Sequence, residues 1–353
     1  MTDTFAIAGR AIGPEHPPYV ICELSANHNG SKQRALEMID AAAATGCDAI
    51  KLQTYTPDTI TLRSDAEEFT VRGGLWDGRT LHDLYAEAYT PWEWHADLFA
   101  RARARGVTLF SSPFDPTAVD LLEDLGAPAY KVASFEAVDL PLIRYIAGTG
   151  KPMVISTGMA DAEEIGEAVA AARDGGCTAL ALLHCVSGYP APPGDYNLAT
   201  IPDMAARFGV PVGLSDHTLD NTTAVAAAAM GACIFEKHFT LDRQGGGPDD
   251  SFSLEPAEFA ALCRDVRTAW QATGRVDYGR KSSEIGNVVF RRSLYFVRDL
   301  VAGQTIGPDD VRSVRPGHGL PPKAADALIG RRVARAVAAG TATSWDLIED
   351  APA

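Results

Sequence analysis

The stretch "PVGLSDHTLDNTTAVAAAAMGACIFEKH", Pro211–His238, decides the fold. Its first run, "PVGL", is apolar and hands over abruptly to Ser215, Asp216 and His217. A small-residue segment with helical character follows, and a second apolar run, "CIF", ends on Glu236, Lys237 and His238. Strand, helix and strand in this order, with strands nearly continuous in apolar residues, predict a parallel βαβ unit covered on both faces.

The unit recurs along the chain. Further β-rich runs are "YVICEL" from Tyr19, "AIKLQ" from Ala49, "TLFSSP" from Thr108, "AYKVAS" from Ala129, "MVISTG" from Met153 and "ALLHC" from Ala181. Between them lie segments such as "SKQRALEMIDAAAATG" and "DAEEIGEAVAAARDGG", with helical apolar spacing and glycine stops. Eight such units predict an α/β fold, a (β/α)8 TIM barrel. A doubly wound open sheet is the alternative, but no GxGxxG follows the first strand.

Composition narrows the function classes. The chain of 353 residues is 46% apolar, an ordinary value for a globular protein, and has no apolar run near the ~18 residues of a membrane span. Its start lacks a signal peptide's basic and apolar regions. The six scattered cysteines form no CxxC, as expected of reduced thiols in a cytoplasmic protein. A net charge of −15 without a basic stripe argues against nucleic acid, though a few converging lysines can still hold an anionic small molecule.

Two regions depart from the repeat. Thr54 to Thr90 is too long for a simple connection and follows a strand's C-terminal end, so it is read as a substrate-covering insertion, with mere padding as the alternative. After "TAWQATG" the texture changes. The expected division is a barrel over 1–275, a polar linker over 276–290 and a small β-rich domain over 291–353. In that tail "AGQTIGPDDV" from Ala302 and "AGTATSWDLI" from Ala339 form a faint repeat.

In a barrel the C-terminal strand ends surround one cavity. Here they carry Glu23; Lys51 and Gln53; Ser111 and Ser112; Lys131, Ser134 and Glu136; Ser156 and Thr157; His184; Ser215, Asp216 and His217; and Glu236, Lys237 and His238. Single polar ends are ordinary, whereas this concentration points to a site for an anion and a metal. His217 and His238 stand at similar positions on the seventh and eighth predicted strands, and neighbouring strands run ~4.8 Å apart, so the two imidazoles can share a divalent ion. A lone histidine would more often be structural; the pairing carries the reading. Closure brings Glu23 near the same ion, as a base, a partner of the ligands or a salt-bridged carboxylate. Lys51 and Lys131, with Ser134, Ser156 and Ser215, would make a phosphate cradle, unless a lysine merely neutralises Glu23 or Glu136. Asp249 lies in the glycine loop "GGGPDD", which either closes over a sugar or is plain turn chemistry.

The motifs "ELSANHNGS", "KLQTYTPDT", "SSPFDPTAVDLLEDLGAPAYKVASFE", "ISTGM", "GLSDHT" and "EKHFTLDRQGGGPDDSFSLEP" resemble those of the sialic acid (nonulosonate) synthase family, nearest its pseudaminic acid branch. The tail, with "RRSLYFVRDLVAGQTI" and "RPGHGL", is similar to that family's antifreeze-like (SAF) domain. The resemblance implies a metal-assisted condensation of phosphoenolpyruvate with an N-acetylated amino sugar, releasing phosphate. It implies that His217 and His238 bind the metal, manganese first, with magnesium or cobalt as alternatives. It also gives Lys51, Lys131, Ser134, Ser156 and Ser215 to phosphoenolpyruvate, and Glu23 to catalysis. Gln53, Glu136, Tyr189 and Asp249 would contact the sugar, and Arg315 would reach a partner's barrel in a domain-swapped homodimer. The chain departs from the family pattern at His318, where asparagine is common in the "RPGxG" turn, and at Val186, where threonine is usual. N-acetylneuraminate or legionaminate synthesis is the alternative within this chemistry. A metal-dependent barrel hydrolase or isomerase is the alternative outside it, and leaves the two lysines without a task.

Overall fold

The chain opens with a feature that sequence reading passed over, an antiparallel hairpin of β1 (Phe5–Ile7) and β2 (Arg10–Ile12). Ala8 and Gly9, both at positive φ, close it as a two-residue turn. The eight expected strands follow: β3 (Tyr19–Glu23), β4 (Ala49–Thr54), β5 (Thr108–Pro113) and β6 (Tyr130–Val132), then β7 (Met153–Ser156), β8 (Leu180–Cys185), β9 (Val212–Asp216) and β10 (Ile234–His238). All pair in parallel with their sequence neighbours, and β10 pairs with β3 to close a barrel. This computed structural model describes residues 4–350. It divides into two units, Met1–Gly274 and Arg275–Ala353.

Local chemistry sets the helices that cover the barrel. Ser31 accepts from the Arg34 amide to start Lys32–Ala44, and Asp115 and Asp161 cap Pro116–Asp124 and Ala162–Asp174 in the same way. Gly209, in the left-handed conformation, ends Thr200–Phe208. The alanine-rich helix Thr222–Ala229 buries Ala224, Ala227 and Ala228 in the layer between strands and helices. Small side chains let it approach closely.

The two-residue period of the strands sorts side chains into two cores. Val20, Ile50, Tyr130, Ile155, Leu182 and Phe235 point outward and belong to the large helix-facing core. Ile21, Ala49, Phe110, Ala129, Val154, Leu183 and Ile234 fill the barrel interior, where Ile7 and Ile12 of the hairpin join them and plug its lower end. Gly213 falls in this interior register. A Cβ there would lie 2.3 Å from the Ile234 carbonyl oxygen and 2.7 Å from Leu183 Cδ2, so no larger residue fits.

Between β4 and β5 the long insertion folds into short pieces: Pro57–Ile60, Glu67–Phe69, Gly74–Trp76 and the helix Leu81–Ala88. Among the described residues no helix is long and apolar enough to cross a membrane.

The second unit pairs β11 (Ser293–Phe296) with β12 (Val311–Val314) over a small core of Leu294, Phe296, Leu300, Ile306, Val333 and Val337. The faint repeat is structural. Val301–Gln304 and Ala338–Thr341 make the same turn, each with its glycine, Gly303 and Gly340, at positive φ. Leu300 and Val337, which precede the turns, pair with one another across the unit.

Candidate active site

Continuing the interior register by one more step replaces hydrocarbon with charge. Two residues above Ile21, Ala49, Ala129 and Ile234 come Glu23, Lys51, Lys131 and Glu236, all buried. Lys51 Nζ lies 3.0 Å from a carboxylate oxygen of Glu23 and 3.0 Å from one of Glu236, and Lys131 Nζ lies 3.3 Å from the same Glu236 oxygen. The two lysines thus share two glutamates. Burial alone would raise both carboxyls, but the lysines outweigh it at Glu236 and hold it down at about 2. At Glu23 burial wins over Lys51, so this carboxyl is raised. Gln53 Nε2 donates to Glu23 Oε1 at 2.9 Å and to Ser25 Oγ at 3.1 Å, while Ser25 in turn donates to Asp249. Burial raises Asp249 to about 6 and Glu136 to about 7.

His217, just past β9, and His238, the last residue of β10, continue the same register, with ring centroids 5.4 Å apart. His217 Nδ1 lies 2.8 Å from the Val186 carbonyl oxygen, which can only accept, so this nitrogen carries a proton and Nε2 is the candidate metal-binding atom. The contact comes from the backbone of Val186, which the missing threonine hydroxyl does not affect. His238 is buried, its Nδ1 has no hydrogen-bond partner, and burial holds it well below the ordinary histidine value. At His217 the Cys185 thiol outweighs burial and raises the imidazole. Two adjacent imidazoles, one with an orphaned nitrogen, fit a divalent metal whose remaining positions go to water or substrate oxygens. Among the described residues no cluster of three or more His, Cys, Asp or Glu side chains is arranged around one metal position.

These groups open into one cavity of about 350 Å³. Lys51, Gln53, Lys131, Ser134, Glu136 and Ser215 line it, as do Tyr189, His217, His238 and Asp249. Glu23 sits behind the wall, fully buried, and Ser156 is buried at the end of β7 with its hydroxyl unpartnered. Arg315 belongs to the second unit, just past β12, and is exposed. Tyr189 packs at a tilt against His217 with centroids 4.4 Å apart, and also against Phe252 at 5.4 Å. A second cavity, about 280 Å³ at the opposite end of β8 and β9, has Arg173 as its one charged lining residue. It lacks convergent polar groups.

Several strand-end residues turn away from the cavity. Lys237 faces outward, where its ammonium meets Asp216 Oδ2 and the Thr218 carbonyl, both at 2.7 Å, and ties two strand ends together. His184 faces out to the Tyr196 carbonyl, and Ser111 to Thr54 at 2.6 Å. Sequence reading gave no role to Glu236, Ser25, Cys185 or Trp76, all of which line the cavity. For Glu236 a signal existed: it shares the parity of His238. The insertion lines the cavity too, and Trp76 Nε1 donates to the Pro248 carbonyl at 3.2 Å.

A family description, the NeuB family, matches residues 38–278, and the SAF domain matches 291–349. The chain belongs to the NeuB family. The pseudaminic acid synthase of Campylobacter jejuni subsp. jejuni serotype O:23/36 is 43% identical over 92% of this chain and 94% of its own. That of Helicobacter pylori is 39% identical over 94% and 98%. Among solved structures, the N-acetylneuraminic acid synthetase of Leptospira borgpetersenii superposes with a TM-score of 0.72 at 29% identity, covering 81% of this chain and 95% of that one. Members of the NeuB family therefore place this barrel among sugar-acid synthases. The charged cluster and the imidazole pair lie inside the stretch matched to that family.

Proposed function

We propose that this chain is a pseudaminic acid synthase. It condenses phosphoenolpyruvate with 2,4-diacetamido-2,4,6-trideoxy-L-altrose and water, giving pseudaminic acid and phosphate. The observation that carries the reading is likeness to the Campylobacter enzyme at 43% identity over more than nine-tenths of each chain. The cavity supports it, because two buried ammonium groups converge there with a raised carboxyl beside them.

The barrel covers 1–275 in this reading, with a linker over 276–290 and the SAF domain over 291–353. Lys51 and Lys131, helped by Ser134, Ser156 and Ser215, bind the phosphate and carboxylate of phosphoenolpyruvate and hold its C3 against the open-chain aldehyde. The enol carbon C3 attacks the aldehyde carbon, the aldehyde oxygen gains a proton, and C2 becomes an oxocarbenium centre. Water adds at C2 with loss of a proton, and the C2–O bond to phosphate then breaks to leave the ketone. Glu23, buried and raised, accepts the proton from that water, while Lys51 stabilises its charged form and Gln53 fixes its orientation. Gln53, Glu136, Tyr189 and Asp249 surround the sugar. His217 and His238 hold the divalent ion, manganese first, which when bound supplies Lewis-acid polarisation of a carbonyl oxygen. Arg315 completes the site from a second copy in a domain-swapped, cytoplasmic homodimer.

The test offers purified protein phosphoenolpyruvate with each of three amino sugars and follows phosphate release. Turnover with the L-altrose derivative at least tenfold above N-acetylmannosamine and the legionaminate precursor is expected. Preference for either of the others moves the assignment to the corresponding synthase. Phosphoenolpyruvate-independent activity on a sugar would move it out of this chemistry.

A further inference from the structure

The cavity has two unlike faces. One carries the lysines, the glutamates and the imidazoles. The other is supplied by the insertion, where Val71, Leu81 and Leu84 line the wall beside Ile60 and Ala88. None of these side chains has a donor or an acceptor; Trp76 and Tyr85, which also line the cavity from the insertion, do, and the Trp76 N–H is given to the Pro248 carbonyl.

That wall is fixed in place. Trp76 is bonded to the Pro248 carbonyl at 3.2 Å and its ring lies 5.8 Å from that of Tyr189. Tyr55 packs edge-on against Tyr85 at 5.7 Å and Phe114 at 5.1 Å, and its carbonyl accepts from Trp92 Nε1 at 3.1 Å. Leu84 is only 6% exposed, on a helix that Thr80 caps by accepting from the Asp83 amide. Tyr55 and Phe114 follow β4 and β5, whereas His217 follows β9 and His238 ends β10, so β3 stands between the two pairs of strands around the barrel.

An open-chain sugar with its aldehyde at the imidazoles directs its sixth carbon away from them. Its acetamido groups and hydroxyls need polar partners, which Gln53, Glu136 and Asp249 can provide. A C6 methyl needs none. Resting on the function proposed above, we infer that Val71, Leu81 and Leu84 form the subsite that receives the C6 methyl of the sugar and discriminates against a C6 hydroxyl. A hydroxyl buried against Val71, Leu81 and Leu84 surrenders water and gains no partner from them, a discrimination of roughly ten- to a hundred-fold in kcat/KM.

The test compares 2,4-diacetamido-2,4,6-trideoxy-L-altrose with its 6-hydroxylated counterpart at saturating phosphoenolpyruvate, following phosphate. The proteins are wild type, Val71→Thr, Leu84→Asn and the volume-conserving Leu84→Met. In wild type the 6-deoxy sugar is favoured. Val71→Thr and Leu84→Asn each lower that preference at least fivefold, chiefly through the KM for the sugar, with the KM for phosphoenolpyruvate unchanged; Leu84→Met keeps it. Val71→Thr is nearly isosteric at a half-buried site, so it remains informative if Leu84→Asn does not fold. An unaltered preference in the polar variants overturns this inference and leaves the proposed activity standing. A wild-type protein that uses neither sugar, or favours the hydroxylated one, overturns the proposed activity and this inference together.

Discussion

The lower and upper halves of the barrel interior are built from the same strands in the same inward register, yet they do opposite things. Ile21, Ala49, Ala129 and Ile234 give way two residues later to Glu23, Lys51, Lys131 and Glu236. The lower layers are hydrocarbon, sealed by the β1–β2 hairpin, and burying them stabilises the fold. The upper layer holds four ionisable groups away from water, each costing several kcal/mol that the mutual ion pairs only offset. A chain selected for stability alone would continue the hydrocarbon upward. The contrast assigns stability to one half and chemistry to the other, and substitutions can break it from either side.

The largest expected effect is on turnover. His238→Ala, at the top of β10, removes one of the paired imidazoles and should lower kcat/KM by on the order of 10³ or more, about 4 kcal/mol of barrier. Its thermal midpoint should not fall, because the orphaned buried nitrogen goes with the ring. Glu23→Gln should lower turnover to a similar extent. Phosphate release near the wild-type rate in either variant would erase the division between the halves. Next comes the charge network. Lys51→Met leaves Glu23 and Glu236 without the cation each meets at 3.0 Å and should cost about 3–5 kcal/mol in urea denaturation at pH 7. Adding Glu23→Gln and Glu236→Gln should recover most of that stability while activity stays lost. A Lys51→Met protein as stable as wild type would mean the four groups do not act as a unit.

From the other half, Ile234→Ala should cost about 2–4 kcal/mol through the lost side chain and the cavity left behind. Turnover per folded molecule should stay within about twofold, since Glu236 and His238 keep their strand and register. A large loss of kcat in this variant, measured well below its unfolding transition, would show that the lower packing aims the upper side chains, and would blur the comparison.

How much of this was legible in the sequence follows from the period of the strands. Apolar runs separated by helical segments mark all eight strands, and barrel closure then makes Glu23, Lys51, Lys131, His217 and His238 neighbours. Parity was the signal left unused. Lys237 and Asp216 resemble site residues in type, but they stand one position off the inward register and bond to each other instead. The β1–β2 hairpin was invisible because "FAIAGRAI" is too short to carry a pattern, and its Ala-Gly turn lacks the asparagine or aspartate that usually marks one. Lys51 read as a phosphate ligand or as the counter-charge of Glu23, and it does meet Glu23. Its sharing between two glutamates depends on Glu236, whose partners lie more than a hundred residues away, and no local pattern reports such a meeting. The apolar face of the insertion was equally hidden, because Val71, Leu81 and Leu84 follow neither a strand nor a long helix period.

The smallest effect concerns pH and tests whether the upper half extends to Glu136. Burial, only partly countered by Lys131, raises this carboxyl from an ordinary 4.5 to about 7. The folded protein therefore holds a proton there that the unfolded chain releases near pH 4.5. The resulting stability is fully present below pH 4.5 and is lost as pH rises to about 7, where the carboxylate must be buried in ionised form. Glu136→Gln cannot titrate, so the stability difference between wild type and variant should change by about 1–2 kcal/mol across that window, allowing for partial exposure. Asp249, raised to about 6, titrates in both proteins and cancels in the difference. Ile234→Ala removes no titratable group, so its penalty should be the same at pH 4.5 and pH 7. A Glu136→Gln difference that is flat in pH would place this carboxyl in solvent, and the charged half of the interior would end at the strand tips.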